Sequence, residues 1–131
     1  MCLSVVLETF VYKKEKPKEI WYKIVLKSGY PLHYGFKSGR YEVGKTYIDK
    51  TRGRIQALCN VEANRGICKS YKKGFHFYDK EAVYKYMEQY CNRYGEDRKV
   101  LKCEVEVSYK GIDIYGKACV GRKFTVLSEE E

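Results

Sequence analysis

Lys73-Gly74-Phe75-His76-Phe77-Tyr78-Asp79-Lys80-Glu81-Ala82-Val83-Tyr84-Lys85-Tyr86-Met87 carries the firmest local grammar in this chain of 131 residues. A glycine followed by an aromatic run reads as a short strand, because aromatic side chains suit a pleated, half-buried surface. Asp79 then offers a side-chain oxygen to the free N–H groups of a helix start, and Glu81 complements the positive end of the helix dipole. Val83, Tyr86, Met87, Tyr90 and Tyr94 recur at helical spacing. They predict an amphipathic helix over residues 80–92, with stop signals at Asn92 and Gly95.

On the C-terminal side, Lys99–Val107 alternates, with Leu101, Cys103, Val105 and Val107 on one face and Lys102, Glu104 and Glu106 on the other. A turn at Lys110-Gly111 predicts a separate short strand over 111–116. Arg122–Leu127 is read as the last strand, with Phe124 and Val126 inward, and Ser128-Glu129-Glu130-Glu131 as an acidic, solvated tail. On the N-terminal side, residues 3–12 and 20–27 read as strands separated by the charged turn Lys13–Lys18. Shorter strands are expected at 32–36, 40–43 and 46–48. Residues 49–73 lack a clean period and read as a long basic loop, with room for a short helix near 55–63. The sum is a single compact α+β domain over 1–131: a mixed or antiparallel curved sheet of about six strands, with one main helix.

Composition narrows the function classes. The chain is 44% hydrophobic and 15% aromatic with two prolines, the opposite of a disordered segment. No apolar run reaches the ~18 residues of a membrane helix, and the N-terminus lacks the basic lead and apolar core of a signal peptide. The expectation is a domain with no membrane partner, cytoplasmic in location (host cytoplasm if viral). The net charge is +9, and the excess lies in residues 1–78. That bias suits an anionic partner, nucleic acid or an acidic protein face, with Lys13, Lys14, Lys16, Lys18, Lys69, Lys72 and Lys73 as the contact residues. The same lysines also serve a plain solvated surface.

Six cysteines (Cys2, Cys59, Cys68, Cys91, Cys103 and Cys119) include no Cys-x-x-Cys pair, so no zinc motif is present. They are expected as buried free thiols. No cofactor is implied: the Gly-x-x-x-x-Gly-Lys loop, the Gly-x-Ser-x-Gly elbow and His-Glu-x-x-His are all missing. The 14 tyrosines suit half-buried strand faces and binding surfaces alike. His76, wedged between Phe75 and Phe77, is read either as a pocket-lining ring or as a structural strand residue. His33 would meet it across the sheet, and Arg40 and Arg122 are conceivable phosphate clamps.

The block from Lys73 to Tyr78, the helix carrying Ala82 and Tyr86, and Lys99-Val100-Leu101-Lys102-Cys103-Glu104-Val105 resemble a set of uncharacterised bacteriophage and large-virus proteins. Arg40–Tyr47 is similar to a segment of the same set. The resemblance implies a small viral accessory protein. A more distant likeness is to ADP-ribosyltransferase-like domains of the poly-ADP-ribose polymerase kind. There Leu32-His33-Tyr34-Gly35 takes the place of the family's His-x-Gly strand, and Gly74-Phe75-His76-Phe77 that of its Gly-x-Tyr-Phe strand. That likeness implies a nicotinamide or ADP-ribose pocket bordered by His33, Arg40, Tyr41, His76 and Tyr78. His76 stands where the family has tyrosine, and the family's catalytic glutamate has no match. Three functions remain open on sequence: a binding module for an anionic partner, a nucleotide pocket without secured catalysis, and a structural or assembly protein.

Overall fold

A computed structural model describes residues 3, 5–30, 40–50, 52, 54–56, 70–90 and 97–130. In chain order these form β1 (Val5–Thr9), β2 (Lys18–Leu26), β3 (Thr46–Ile48), β4 (Arg54–Gln56), β5 (Ser70–Lys72), β6 (Phe75–Tyr78), α1 (Lys80–Tyr90), β7 (Arg98–Asp113) and β8 (Gly116–Glu130). The architecture is α+β: one helix and a six-stranded antiparallel sheet in the order β1-β7-β2-β6-β8-β3, with β4 and β5 pairing separately.

The centre of the fold is the long hairpin β7–β8. It was expected to break at Lys110-Gly111, but it runs through, because those residues are laddered on both sides. Lys110 faces Glu8 and Cys119, and Gly111 faces Val6 and Ala118. The reversal comes later, where Asp113 pairs with Gly116. Asp113 Oδ1 accepts the Tyr115 N–H at 2.7 Å, and Gly116 adopts φ 138°, a conformation that favours glycine. The expected acidic tail is also strand: Glu129 faces Leu101, and its carboxylate accepts from Lys99 Nζ at 2.5 Å.

Pairing β8 with both β7 and β6, and β2 with both β7 and β6, closes a circuit of four strands. The circuit is strongly sheared. From Tyr22 it reaches β8 at Ser128 by way of Lys102, and at Ala118 by way of Tyr78. Register shifts in β7–β8 near Lys102, Glu106 and Val107 supply the bending. Gly74 and Gly121 permit the tightest approach: a Cβ on Gly121 would lie 2.6 Å from the Glu106 carbonyl oxygen, and one on Gly74 would lie 2.9 Å from that of Gly121.

Strand alternation divides the core into two layers. The inner layer holds Trp21, Val25, Tyr41, Phe77, Leu101, Cys103, Val105, Val107, Cys119, Phe124 and Val126. The inward positions expected on β7 and β8 all fall there. The outer layer joins Ile24, Tyr71, Tyr78, Val100, Tyr109, Tyr115, Ala118 and Val120 to the helix face Ala82, Val83 and Tyr86. The helix begins as expected, with Asp79 Oδ1 accepting the Ala82 N–H at 2.8 Å. Its expected end at Asn92 lies outside the described residues, as do the strand expected at 32–36 and Cys2, Cys59, Cys68 and Cys91. Cys103 and Cys119 are free and buried.

Two further expectations change. Arg40–Val43 is not strand: the Glu42 N–H is taken by the Tyr47 hydroxyl at 2.7 Å, and the chain turns at Gly44 into β3. Where a helix had room near residue 55, Arg54–Gln56 is strand, pairing with Ser70–Lys72, so both ends of the expected 49–73 loop are ordered. Among the described residues, no helix is long and apolar enough to cross a membrane.

Candidate functional site

The sheet register collects basic residues from three separate segments. Lys18 pairs with Glu106, Glu106 with Lys123, and Lys123 with Ile48. Phe75 pairs with Gly121, which brings Lys72 and Lys73 to the same end of the sheet, and Arg122 Nη1 donates to the Lys73 carbonyl at 2.8 Å. The turn between β1 and β2 docks beside them. Its Phe10 N–H donates to the Ser108 carbonyl at 2.7 Å, and the Val107 N–H donates to the Pro17 carbonyl at 2.9 Å. Lys13, Lys14, Lys16 and Lys18 are therefore held near Lys72, Lys73, Arg122 and Lys123.

Most of these side chains project into water. Lys13, Lys14, Lys18, Lys72, Lys73 and Lys123 are exposed, while Lys16 and Arg122 are half-buried. Glu106 lies within the group and offsets part of its charge. Tyr12, at the crest of the turn, is 88% exposed, so its ring is offered to solvent among lysines. Phe10 beneath it is flanked by Lys13 Nζ at 5.4 Å and Lys110 Nζ at 5.5 Å from the ring centre. Lys110 is neutralised by Glu19 at 2.6 Å and adds little to the outward field. Lys69 lies outside the described residues. Lys123 was missed by the sequence reading: it sits in an alternating strand, and only the β7–β8 register reveals its neighbours.

The histidine-centred group is arranged differently. Tyr41 belongs to the inner layer, edge-on to Tyr47 at 4.9 Å, and burial raises its hydroxyl to about 12 with help from Tyr47 and Asp49. His76 and Tyr78 follow the alternation of β6: Phe75 and Phe77 point inward, and Tyr78 lies in the outer layer. Tyr71 Oη accepts the buried Leu3 N–H at 2.7 Å and is hydrogen-bonded to His76 Nε2 at 3.1 Å, while the Gly74 backbone bonds the ring as well. Desolvation pushes the imidazole down to about 3, with the Lys23 charge acting the same way, so His76 is neutral. Tyr78 donates to Asp113 Oδ2 at 2.8 Å, and burial raises both groups. Arg40 is exposed beside Glu42 at 3.9 Å. The structure thus gathers His76 with Tyr71 and sets Tyr78 on the same layer, but it separates both from Tyr41. His33 lies outside the described residues.

No family model matches the chain, and no curated protein or solved structure is significantly similar to it.

Proposed function

We propose that this domain is a binding module for single-stranded nucleic acid, engaged through its basic end. The observation that carries the reading is the register that brings Lys18, Lys72, Lys73, Arg122 and Lys123 to one end of the sheet, where the turn bearing Lys16 and the exposed Tyr12 also docks. Clustered lysine ammoniums neutralise backbone phosphates, and an unshielded aromatic ring gives an unpaired base a stacking face. An acidic protein face would use the charges but would leave Tyr12 without a role.

The test is fluorescence polarisation with a labelled mixed-sequence single-stranded oligonucleotide. Binding is expected at low salt, with log Kd against log salt changing by about 0.7 for each phosphate contact. A variant with Lys16, Lys18, Lys72 and Lys73 all changed to glutamate is expected to lose more than about tenfold in affinity. Tyr12→Ala is expected to weaken binding by about tenfold, the scale of one lost base stack. A flat titration at low salt, or unchanged affinity in the four-lysine variant, overturns the reading.

A further inference from the structure

β2 sends Trp21 and Val25 into the inner layer, and strand alternation sets Lys23 between them on that face. Its ammonium lies 5.1 Å from the ring centre of Phe77 and 5.9 Å from those of Phe75 and Tyr41. Nζ donates to the His76 carbonyl at 3.0 Å, beside the seam where β2 meets β6 through the single pair Tyr22–Tyr78. An ammonium has three N–H donors. Among the described residues that carbonyl is its one acceptor, and no carboxylate forms an ion pair with it. The ring faces compensate only in part, and an apolar residue would fill the place without the cost of a buried cation. Such a lysine calls for a role other than packing.

We propose that Lys23 is a covalent capture site for a small aromatic aldehyde. The neutral amine donates its lone pair to the carbonyl carbon, a proton passes from nitrogen to oxygen, and water leaves to give a carbon–nitrogen double bond. Aromatic walls at Tyr41, Phe75 and Phe77 suit a flat apolar substituent. Lys23 and Phe75 are only half-buried, and they lie beside the seam where a single ladder pair joins β2 to β6. Burial lowers the amine to about 8, against the attraction of Cys103 and Cys119. The groups facing it do not titrate in that range: Cys103 and Tyr41 are pushed up to about 12, Cys119 is also raised, and His76 is pushed down to about 3. Lys23 therefore loses its proton without a coupled partner.

The probe is benzaldehyde with cyanoborohydride, which reduces the imine to a stable benzylamine, read by peptide mass mapping of the full chain. At about pH 7.5, Lys23 is expected to label at least about tenfold faster than the exposed Lys27 and Lys72, because its neutral fraction is far larger. Its rate should reach half its maximum near pH 8. Labelling of Lys23 no faster than Lys27 overturns the proposal, and so does a Lys23 rate that tracks that of Lys27 with pH. Lys23→Arg should remove the fast product; its persistence at another lysine also overturns the assignment. The map is read on the unaltered protein, so the result does not depend on the variant folding, and it is independent of nucleic-acid binding.

Discussion

The two layers on either side of the sheet solve the same packing problem with different chemistry. The outer layer, under α1, is built on tyrosines: Tyr78, Tyr86 and Tyr115 contact one another through tilted and edge-to-face rings, and Tyr71 meets Tyr109. Three of the hydroxyls reach fixed partners: Tyr78 at Asp113, Tyr71 at Leu3 and His76, and Tyr109 at the Lys72 N–H. The inner layer is built on Phe75, Phe77, Phe124, valines and two thiols, with Tyr41 and Tyr47 at its margin. A closed interior offers few backbone groups for a hydroxyl to bond, so phenylalanine goes there and tyrosine goes where helix, hairpin and N-terminal segment leave polar atoms within reach. That contrast makes the inward lysine stand out.

The comparison can be broken most forcefully at Phe77, which is fully buried against Phe124. Phe77→Ala is expected to cost about 3–5 kcal/mol in urea unfolding, and a loss below about 1 kcal/mol would show that the interior is not packed as described. Lys23→Met sharpens it in the opposite direction. The folded amine titrates near 8 and the unfolded one near 10.5, so the native chain binds fewer protons between those values and its stability rises with pH across that window. Below the window the full penalty applies. The methionine variant is therefore expected to be more stable at neutral pH by up to about 3 kcal/mol, a gain that shrinks as pH rises through the window.

In the outer layer, His76 is neutral when folded and protonates near 6.5 when unfolded. Its contribution is intact above that value and declines as pH falls toward 3. Wild type should lose about 2 kcal/mol more than His76→Gln between neutrality and about pH 5, read by thermal melts across pH. Tyr78→Phe is the gentlest probe: it deprives buried Asp113 of one donor and should cost about 1–2 kcal/mol. No measurable cost would place the tyrosine tips among dispensable contacts.

Much of this was legible in the sequence, for identifiable reasons. Asp79 and the Val83, Tyr86, Met87 spacing specify the helix locally, and the alternation from Leu101 to Val107 identifies the inner face of β7 without reference to any partner. Gly111 misled because a glycine next to a lysine has the composition of a turn, whereas its place in a doubly paired strand depends on β1 and β8. Glu129 and Glu130 misled in the same way, since charge marks a tail only when no neighbouring strand waits to pair with it. In the candidate site, the lysines of the first turn were visible as a run, and Lys72 and Lys73 as a pair. Their approach to one another, and to Lys123, is a property of register. Lys23 was passed over because a lysine between Tyr22 and Ile24 has the pattern of an outward strand position.

Ring closure rests on the pairing of Tyr22 with Tyr78, and both the inner layer and the setting of Lys23 depend on it. Backbone cross-strand NOEs in the isotopically labelled protein test it directly. The account predicts contacts from Tyr22 both to Lys102 and to Tyr78. Contacts to Lys102 alone, with β6 seen only against β8, would mean an open sheet and would contradict it.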